Sequence, residues 1–261
     1  MPGFSSDAIL LRKIEYGDHD YILTFMTQTH GKVAAIAKNA KKSVRRFSGA
    51  LDLFSLNHIQ CSRPRRNKDA LMLLNQSDLE EGWANIRYDV FKTAYASFWV
   101  EMIYLWVEEG EAQPEIYDLL RFSLDMLNGD FIQPRVLSIL FQIRFMNISG
   151  FSPHLAWCDA CHTPLDQVAA QRVWFDFREG KILCPNCSRR RSAKGIQVSK
   201  GTLKQIYWLN KTSVEKAGRI RLPEFALNEG EKLLESFIPF HVGREFRSLK
   251  FLNRLRNETW T

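Results

Sequence analysis

The chain has 261 residues, 45% hydrophobic and 12% aromatic, which is too apolar for a disordered chain and enough for one large or two modest folded domains. Its formal net charge of +7 is uneven: residues 1–75 hold 12 Lys+Arg against 6 Asp+Glu, residues 76–150 hold 5 against 12, residues 151–200 hold 8 against 4, and residues 201–261 hold 11 against 7. A basic front and back around an acidic middle suggest surfaces with different partners, the basic ones suited to a polyanion.

The opening MPGFSSDAILLRK has no charged stretch followed by an apolar one, and no run of eighteen uncharged apolar residues occurs, so neither a signal peptide nor a membrane span is expected. A cytoplasmic protein follows, with its five cysteines reduced or bound to metal. The first seventy-odd residues read as β. DAILLRKIEYG and YILTFMTQTHG are β-branched and aromatic runs closed by turn glycines, KVAAIAKNA follows across a Thr29-His30-Gly31 hairpin tip, and LFSLNHIQC and DALMLLNQ add two more strands. Five short strands fit a small barrel of the oligonucleotide/oligosaccharide-binding (OB) type, and equally an SH3-like one.

Beyond residue 80 the period becomes helical. Phe91, Tyr95, Phe98, Trp99, Met102, Leu105 and Trp106 share one helical face, with Lys92, Ser97, Glu101 and Glu108 elsewhere. A second helix starts near Pro114 and stops at Gly129. A third, Pro134 to about Ile148, is apolar nearly all round except for Arg135, Ser138 and Gln142, and should be central to a bundle. Residues 199–211 and 223–238 read as helices, and REFRSLKFLNRLR as an amphipathic one. The expected architecture is α+β and multidomain: an OB-fold domain over 1–80, then a helical domain over 81–261 interrupted at 150–195 by a cysteine-bearing module.

CDACH at 158–162 matches the attachment signature of a c-type haem, yet CPNC brings a second pair at 184–187. Haem would leave Cys184 and Cys187 unexplained. Two Cys-x-x-Cys loops instead deliver four soft thiolates to one tetrahedral ion, so Cys158, Cys161, Cys184 and Cys187 are read as ligands of one structural Zn²⁺ in a zinc ribbon. The connecting RVWFDFREGKIL is its hairpin, with a turn at Glu179-Gly180. Four sulfurs leave no open position for a substrate. His162 sits beside the ligands, and Cys61 reads as ordinary core.

No phosphate-cradling GxxxxGK[ST] loop, no GxSxG elbow and no metalloprotease histidine pair occurs, so the chain reads as non-enzymatic. The binding signal is cationic. KNAKKSVRR places Lys38, Lys41, Lys42, Arg45 and Arg46 in the loop leaving the third strand, and SRPRRNK adds Arg63, Arg65, Arg66 and Lys68 between the fourth and fifth. Two such loops can flank one groove for a phosphate chain, with Tyr21 and Phe47 either stacking on bases or filling the core. Weaker basic groups are Arg189, Arg190, Arg191 and Lys194 beside the zinc module, and Arg244, Arg247, Lys250, Arg254 and Arg256 near the C-terminus. A zinc-ribbon protein of transcription or RNA processing is the alternative reading.

Three segments, YGDHDYILTFMTQTHGKVAAIAKNAKKS, LFQIRFMNISGFSPHLAWCDAC and HVGREFRS, resemble in order and spacing the RecO family of DNA repair proteins. Where that family often carries glycine directly after the second cysteine, this chain has His162. The resemblance implies an OB-fold domain, a helical domain and a zinc module in a bacterial, nucleoid-associated protein. It also implies binding of single- and double-stranded DNA, annealing of complementary strands, and help in loading the RecA recombinase onto strands coated by single-stranded-DNA-binding protein. Implied partners are RecR and the acidic C-terminal tail of that coating protein.

Overall fold

A computed structural model describes residues 3–47, 49–64, 71–190, 194–212, 214–217 and 220–258. The chain divides into two compact units, residues 1–129 and 130–261.

The first unit opens with five strands, β1 (Phe4–Tyr16), β2 (Asp20–Thr27), β3 (Gly31–Ala37), β4 (Leu56–Ser62) and β5 (Met72–Glu81), closed into a barrel in the order β1-β2-β3-β5-β4. This is an OB-type barrel. β1 is long enough to serve two neighbours: Phe4–Ile9 pair with β4 and Ala8–Tyr16 with β2, and a bulge between Leu10 and Arg12 lets it bend between them. The last seam, β3 to β5, is parallel and, among the described residues, pairs Ala35↔Met72 and Ile36↔Leu73.

The β2–β3 hairpin turns as its tip residues require. Thr27 Oγ1 donates to the Gly31 carbonyl at 2.8 Å and accepts the His30 N–H at 2.9 Å. Gly31 has φ +66°, and a Cβ there would sit 1.8 Å from the Glu111 carbonyl oxygen, so only glycine fits. Inward residues, alternating along the strands, fill the barrel, among them Ala8, Leu10, Leu23, Phe25, Ile59 and Cys61. Burial pushes the Cys61 thiol up to about 12, which keeps it protonated and inert as core. On the outer surface Ser5 Oγ lies 2.6 Å from His58 Nε2, and His58 Nδ1 lies 2.8 Å from Asp7 Oδ1, a chain that clasps β1 to β4.

After the one-turn α1 (Val44–Phe47), the unit continues with α2 (Ala84–Tyr88), α3 (Val90–Trp106) and α4 (Pro114–Asn128). Asp89 caps α3, accepting the N–H groups of Phe91 at 2.8 Å and Lys92 at 3.0 Å. α3 departs from the single buried stripe expected of it: Lys92 is buried whereas Phe91 is exposed. The helix has β1 on one side and α2 and α4 on others, so burial extends around most of its circumference and the 3.6-residue period fades.

The second unit begins with α5 (Pro134–Ile148), whose buried faces meet two later helices, α7 (Lys200–Lys211) and α9 (Glu224–Val242). Between them lies a four-stranded sheet, order β6-β8-β7-β9, made of β6 (His154–Cys158), β7 (Arg172–Asp176), β8 (Lys181–Leu183) and β9 (Gly195–Ser199), with the short α6 (Pro185–Ser188) after β8. β7 and β8 form the hairpin expected around Gly180. The one-turn α8 (Val214–Ala217) precedes α9, and α10 (Arg247–Asn257) closes the unit with Leu249, Leu252 and Leu255 buried.

A charged cluster fastens these helices. Arg135 on α5 grips Glu231 with two bonds of 2.9 and 2.6 Å, and Arg256 on α10 donates to Glu235 at 2.7 Å. Burial, opposed by Arg256, raises the Glu235 carboxyl to about 6. Its folded value exceeds its ordinary one of 4.5, so the stability it confers is full below about 4.5 and lost as pH rises through about 6. Glu235→Gln should therefore flatten the pH dependence of unfolding in that window by about 2 kcal/mol, read from denaturant melts of both proteins across pH 4.5–7. No described helix is long and apolar enough to cross a membrane.

Candidate nucleic-acid interface and metal centre

Cys158 ends β6, Cys161 lies across a turn, Cys184 immediately precedes α6 and Cys187 lies within it. Their four sulfurs all lie within 4.8 Å of one another, with Cys161 and Cys184 Sγ 3.8 Å apart. Backbone bonds build each loop: Cys158 N–H donates to Thr163 O at 2.9 Å, Cys187 N–H to Cys184 O at 3.0 Å, and Cys184 N–H to the Cys158 sulfur at 3.3 Å. Hydrogen bonds from Thr163 hold the Cys161 thiol down at about 6, whereas bonding to Cys184 drives Cys187 up to about 12. Four sulfurs this close cannot all carry charge cheaply without a cation among them. A divalent ion at its centre would remove that conflict, so the donor set fits one metal ion with four thiolates.

His162 closes the first loop in the left-handed region, φ +56°, where its N–H reaches Cys158 O at 2.8 Å. That conformation strains a residue with a Cβ. His162→Gly should raise stability by about 1 kcal/mol with the metal retained, measured by chemical denaturation of the loaded protein.

The first cationic cluster lies in the barrel unit. Lys38, Lys41, Lys42, Arg45 and Arg46 are all exposed over the exit of β3 and α1. The segment is pinned: Lys41 N–H bonds His19 O at 3.0 Å, Asn39 N–H bonds Asp20 Oδ1 at 2.7 Å, and Arg46 reaches back to Lys38 O at 2.7 Å. Arg63 is exposed at the end of β4. Leu73 of β5 pairs with Ser62 on one side and Ile36 on the other, so the two loops leave the barrel from strands about 10 Å apart. Arg65, Arg66 and Lys68, like Arg191, lie outside the described residues.

The two aromatics near this cluster divide. Phe47 is buried and belongs to the core. Tyr21 is half-buried, with Lys13 Nζ 4.4 Å and Lys41 Nζ 5.6 Å from its ring centre. Lys13 was not anticipated. Tyr21 pairs with Glu15, two residues along from Lys13 on the same face of β1, so Lys13 and Tyr21 meet diagonally across the strands. Glu15 also reaches Lys41 at 2.8 Å, which lowers its own carboxyl and raises the ammonium.

The other basic groups belong to the second unit. Arg189 and Arg190 are exposed just after the last cysteine, where Arg190 N–H bonds Cys187 O at 3.2 Å, and exposed Lys194 lies by Phe177, whose N–H its carbonyl accepts at 2.9 Å. Arg244 precedes α10, on which Arg247, Lys250 and Arg254 share the face opposite its buried leucines, with Lys250 paired to Glu245.

Residues 1–83 match the family described as "Recombination protein O N terminal", and residues 87–250 match "Recombination protein O C terminal". Similar curated proteins include "DNA repair protein RecO" of Desulfatibacillum aliphaticivorans, 45% identical over 98% of this chain and 98% of the relative. The protein of the same description from Desulfosudis oleivorans is 35% identical over 98% of this chain and all of its own. The one from Syntrophus aciditrophicus is 30% identical over 96% and 95%.

Proposed function

The chain belongs to the RecO family of DNA repair proteins, and from that premise we propose that it is a non-enzymatic strand binder of recombinational repair. In this reading it binds single- and double-stranded DNA, anneals complementary strands, and helps RecA load onto DNA coated by single-stranded-DNA-binding protein. The coating protein's acidic tail and RecR are the protein partners, and the cell compartment is the bacterial cytoplasm at the nucleoid. The observation that carries the reading is the pinned, exposed cluster of Lys38, Lys41, Lys42, Arg45 and Arg46 on an OB-type barrel, with Arg63 on the neighbouring loop. Annealing makes no bond. It needs only a cationic surface that offsets repulsion between two phosphate backbones, and these side chains supply one.

Residues 1–80 act here as the DNA-binding domain, with Arg65, Arg66 and Lys68 completing the second loop. Residues 81–261 act as the helical domain, with the 150–195 module braced by one structural Zn²⁺ on Cys158, Cys161, Cys184 and Cys187. Zinc is the ion best suited to four thiolates in a closed tetrahedral shell, and it supplies no reaction step. Arg189, Arg190, Arg191, Lys194, Arg244, Arg247, Lys250 and Arg254 form secondary phosphate contacts.

The test is a salt titration of binding to single-stranded DNA with metal content read on the same sample. Binding should weaken linearly in log–log form, with a slope of about −4 from the six described barrel cations alone and a steeper one as the further contacts engage. Annealing of complementary oligonucleotides should fade over the same salt range. A slope near zero, or faster annealing at high salt, would sink the reading.

A further inference from the structure

α7, KGTLKQIYWLNK, turns a side toward α5 and α9 with Leu203, Ile206 and Leu209 buried. Packing therefore explains the apolar residues of that side and leaves two others unexplained. Tyr207 and Trp208 are 47% and 42% exposed on the opposite side. Single exposed aromatics are ordinary on protein surfaces, but these are adjacent and bracketed. Lys204 stands three and four residues before them and Lys211 four and three after, so all four occupy one helical face. α7 contains no acidic residue, and residues 130–261 hold 21 Lys+Arg against 12 Asp+Glu.

We propose that the outer face of α7 is a second site for single-stranded nucleic acid, where bases stack on Tyr207 and Trp208 and phosphates rest on Lys204 and Lys211. The assignment deepens the strand-binding reading and rests on it for the class of ligand. Flat rings beside ammonium groups are the components of a sequence-tolerant strand grip, because every base has a π-face and every nucleotide a charge. The two lysines are about 10 Å apart along the axis, the span of about three stacked nucleotides. Lys204 pairs with Asp166, both groups being exposed, so a phosphate can displace that carboxylate at little cost. Lys211 pairs with no carboxylate among the described residues. The buried side of α7 holds the rings in place, so little ordering remains to oppose binding.

The experiment cross-links full-length, metal-loaded protein to a dT oligonucleotide carrying 5-iodouracil and locates the adducts by mass spectrometry. Adducts at Tyr207 or Trp208 are expected beside those on the barrel. Tyr207→Ala with Trp208→Ala should lower oligonucleotide affinity about tenfold, whereas Tyr207→Phe with Trp208→Phe should keep most of it, since a ring still stacks. Should the alanine pair disturb folding, seen as a lost thermal transition, Lys211→Glu tests the same face from an exposed position and should weaken binding several-fold. Adducts confined to residues 13–63, or unaltered affinity in folded variants, overturn the site; variants that spare DNA but lose an acidic peptide overturn it in favour of a protein ligand. Wild-type protein that binds no oligonucleotide would instead overturn the strand-binding reading itself, so the two failures are distinguishable.

Discussion

Replacing Lys41, Lys42 and Arg45 together by glutamate should lower affinity for single-stranded DNA about a hundredfold or more in dilute salt, and flatten the log–log salt dependence by about 2. The slope is the sharper observable. Each phosphate contact on a single strand releases about 0.7 of a counterion, so three lost contacts remove about 2 from it, whatever the absolute affinity. The fold should survive, because Lys42 and Arg45 are exposed and Lys41, its side chain 25% exposed, contacts Glu15 and Tyr21 at the barrel surface. The ion pair given up, Lys41 with Glu15, lies at the surface, where such pairs contribute little. Metal content should not change, since the cysteines belong to the other compact unit. Unchanged affinity and slope in the folded triple variant would remove the barrel loops from consideration.

The second large effect is expected from the metal. Purified protein should carry one zinc per chain, and Cys184→Ser with Cys187→Ser should carry none. Structural zinc contributes on the order of 10 kcal/mol to the folding of small zinc domains. The loss here should be smaller, because Val173, Phe175, Ile182 and Leu183 bury their side chains without help from the ion. Chelation should therefore loosen β6, the Cys158–Thr163 turn and α6 first, seen as rapid amide exchange there, while α5 and α9 stay protected. Strand binding through the barrel should persist in dilute salt. If chelation left exchange across residues 154–188 unaltered, the ion would not be the brace proposed.

How much of this was legible follows from the range over which each residue acts. The cysteine pairs were readable because the spacing of two residues is itself the chemistry: it sets both sulfurs on one loop, and the structure gathers all four within 4.8 Å. The strands were readable from their β-branched and aromatic runs, the β2–β3 tip from Thr29-His30-Gly31, and the starts of α4 and α5 from Pro114 and Pro134. These are local signals. The choice between OB and SH3-like barrels was not local. It was decided by which strands closed the sheet, a parallel β3–β5 seam that no stretch of sequence announces.

Side chains that meet from distant positions were equally hidden. Arg135 read as part of a polar strip on an otherwise apolar helix, and its role as the grip on Glu231 depends on a helix nearly a hundred residues away. Lys13 gave no sign of lying over Tyr21 until the register of β1 and β2 was known. Lys92 and Phe91 exchanged their expected places because burial on several sides of α3 overrides any single stripe. His162 was singled out by the resemblance alone, and its left-handed backbone is one that glycine adopts without strain.

Among the described residues the barrel closes through two residue pairs, Ala35 with Met72 and Ile36 with Leu73. Every other junction in the barrel has at least six. A staved vessel opens where it is hooped least, so local breathing should begin there. Both cationic loops spring from strands at that joint. A polymer spanning them would draw the staves together, and the protein would stiffen as it fills.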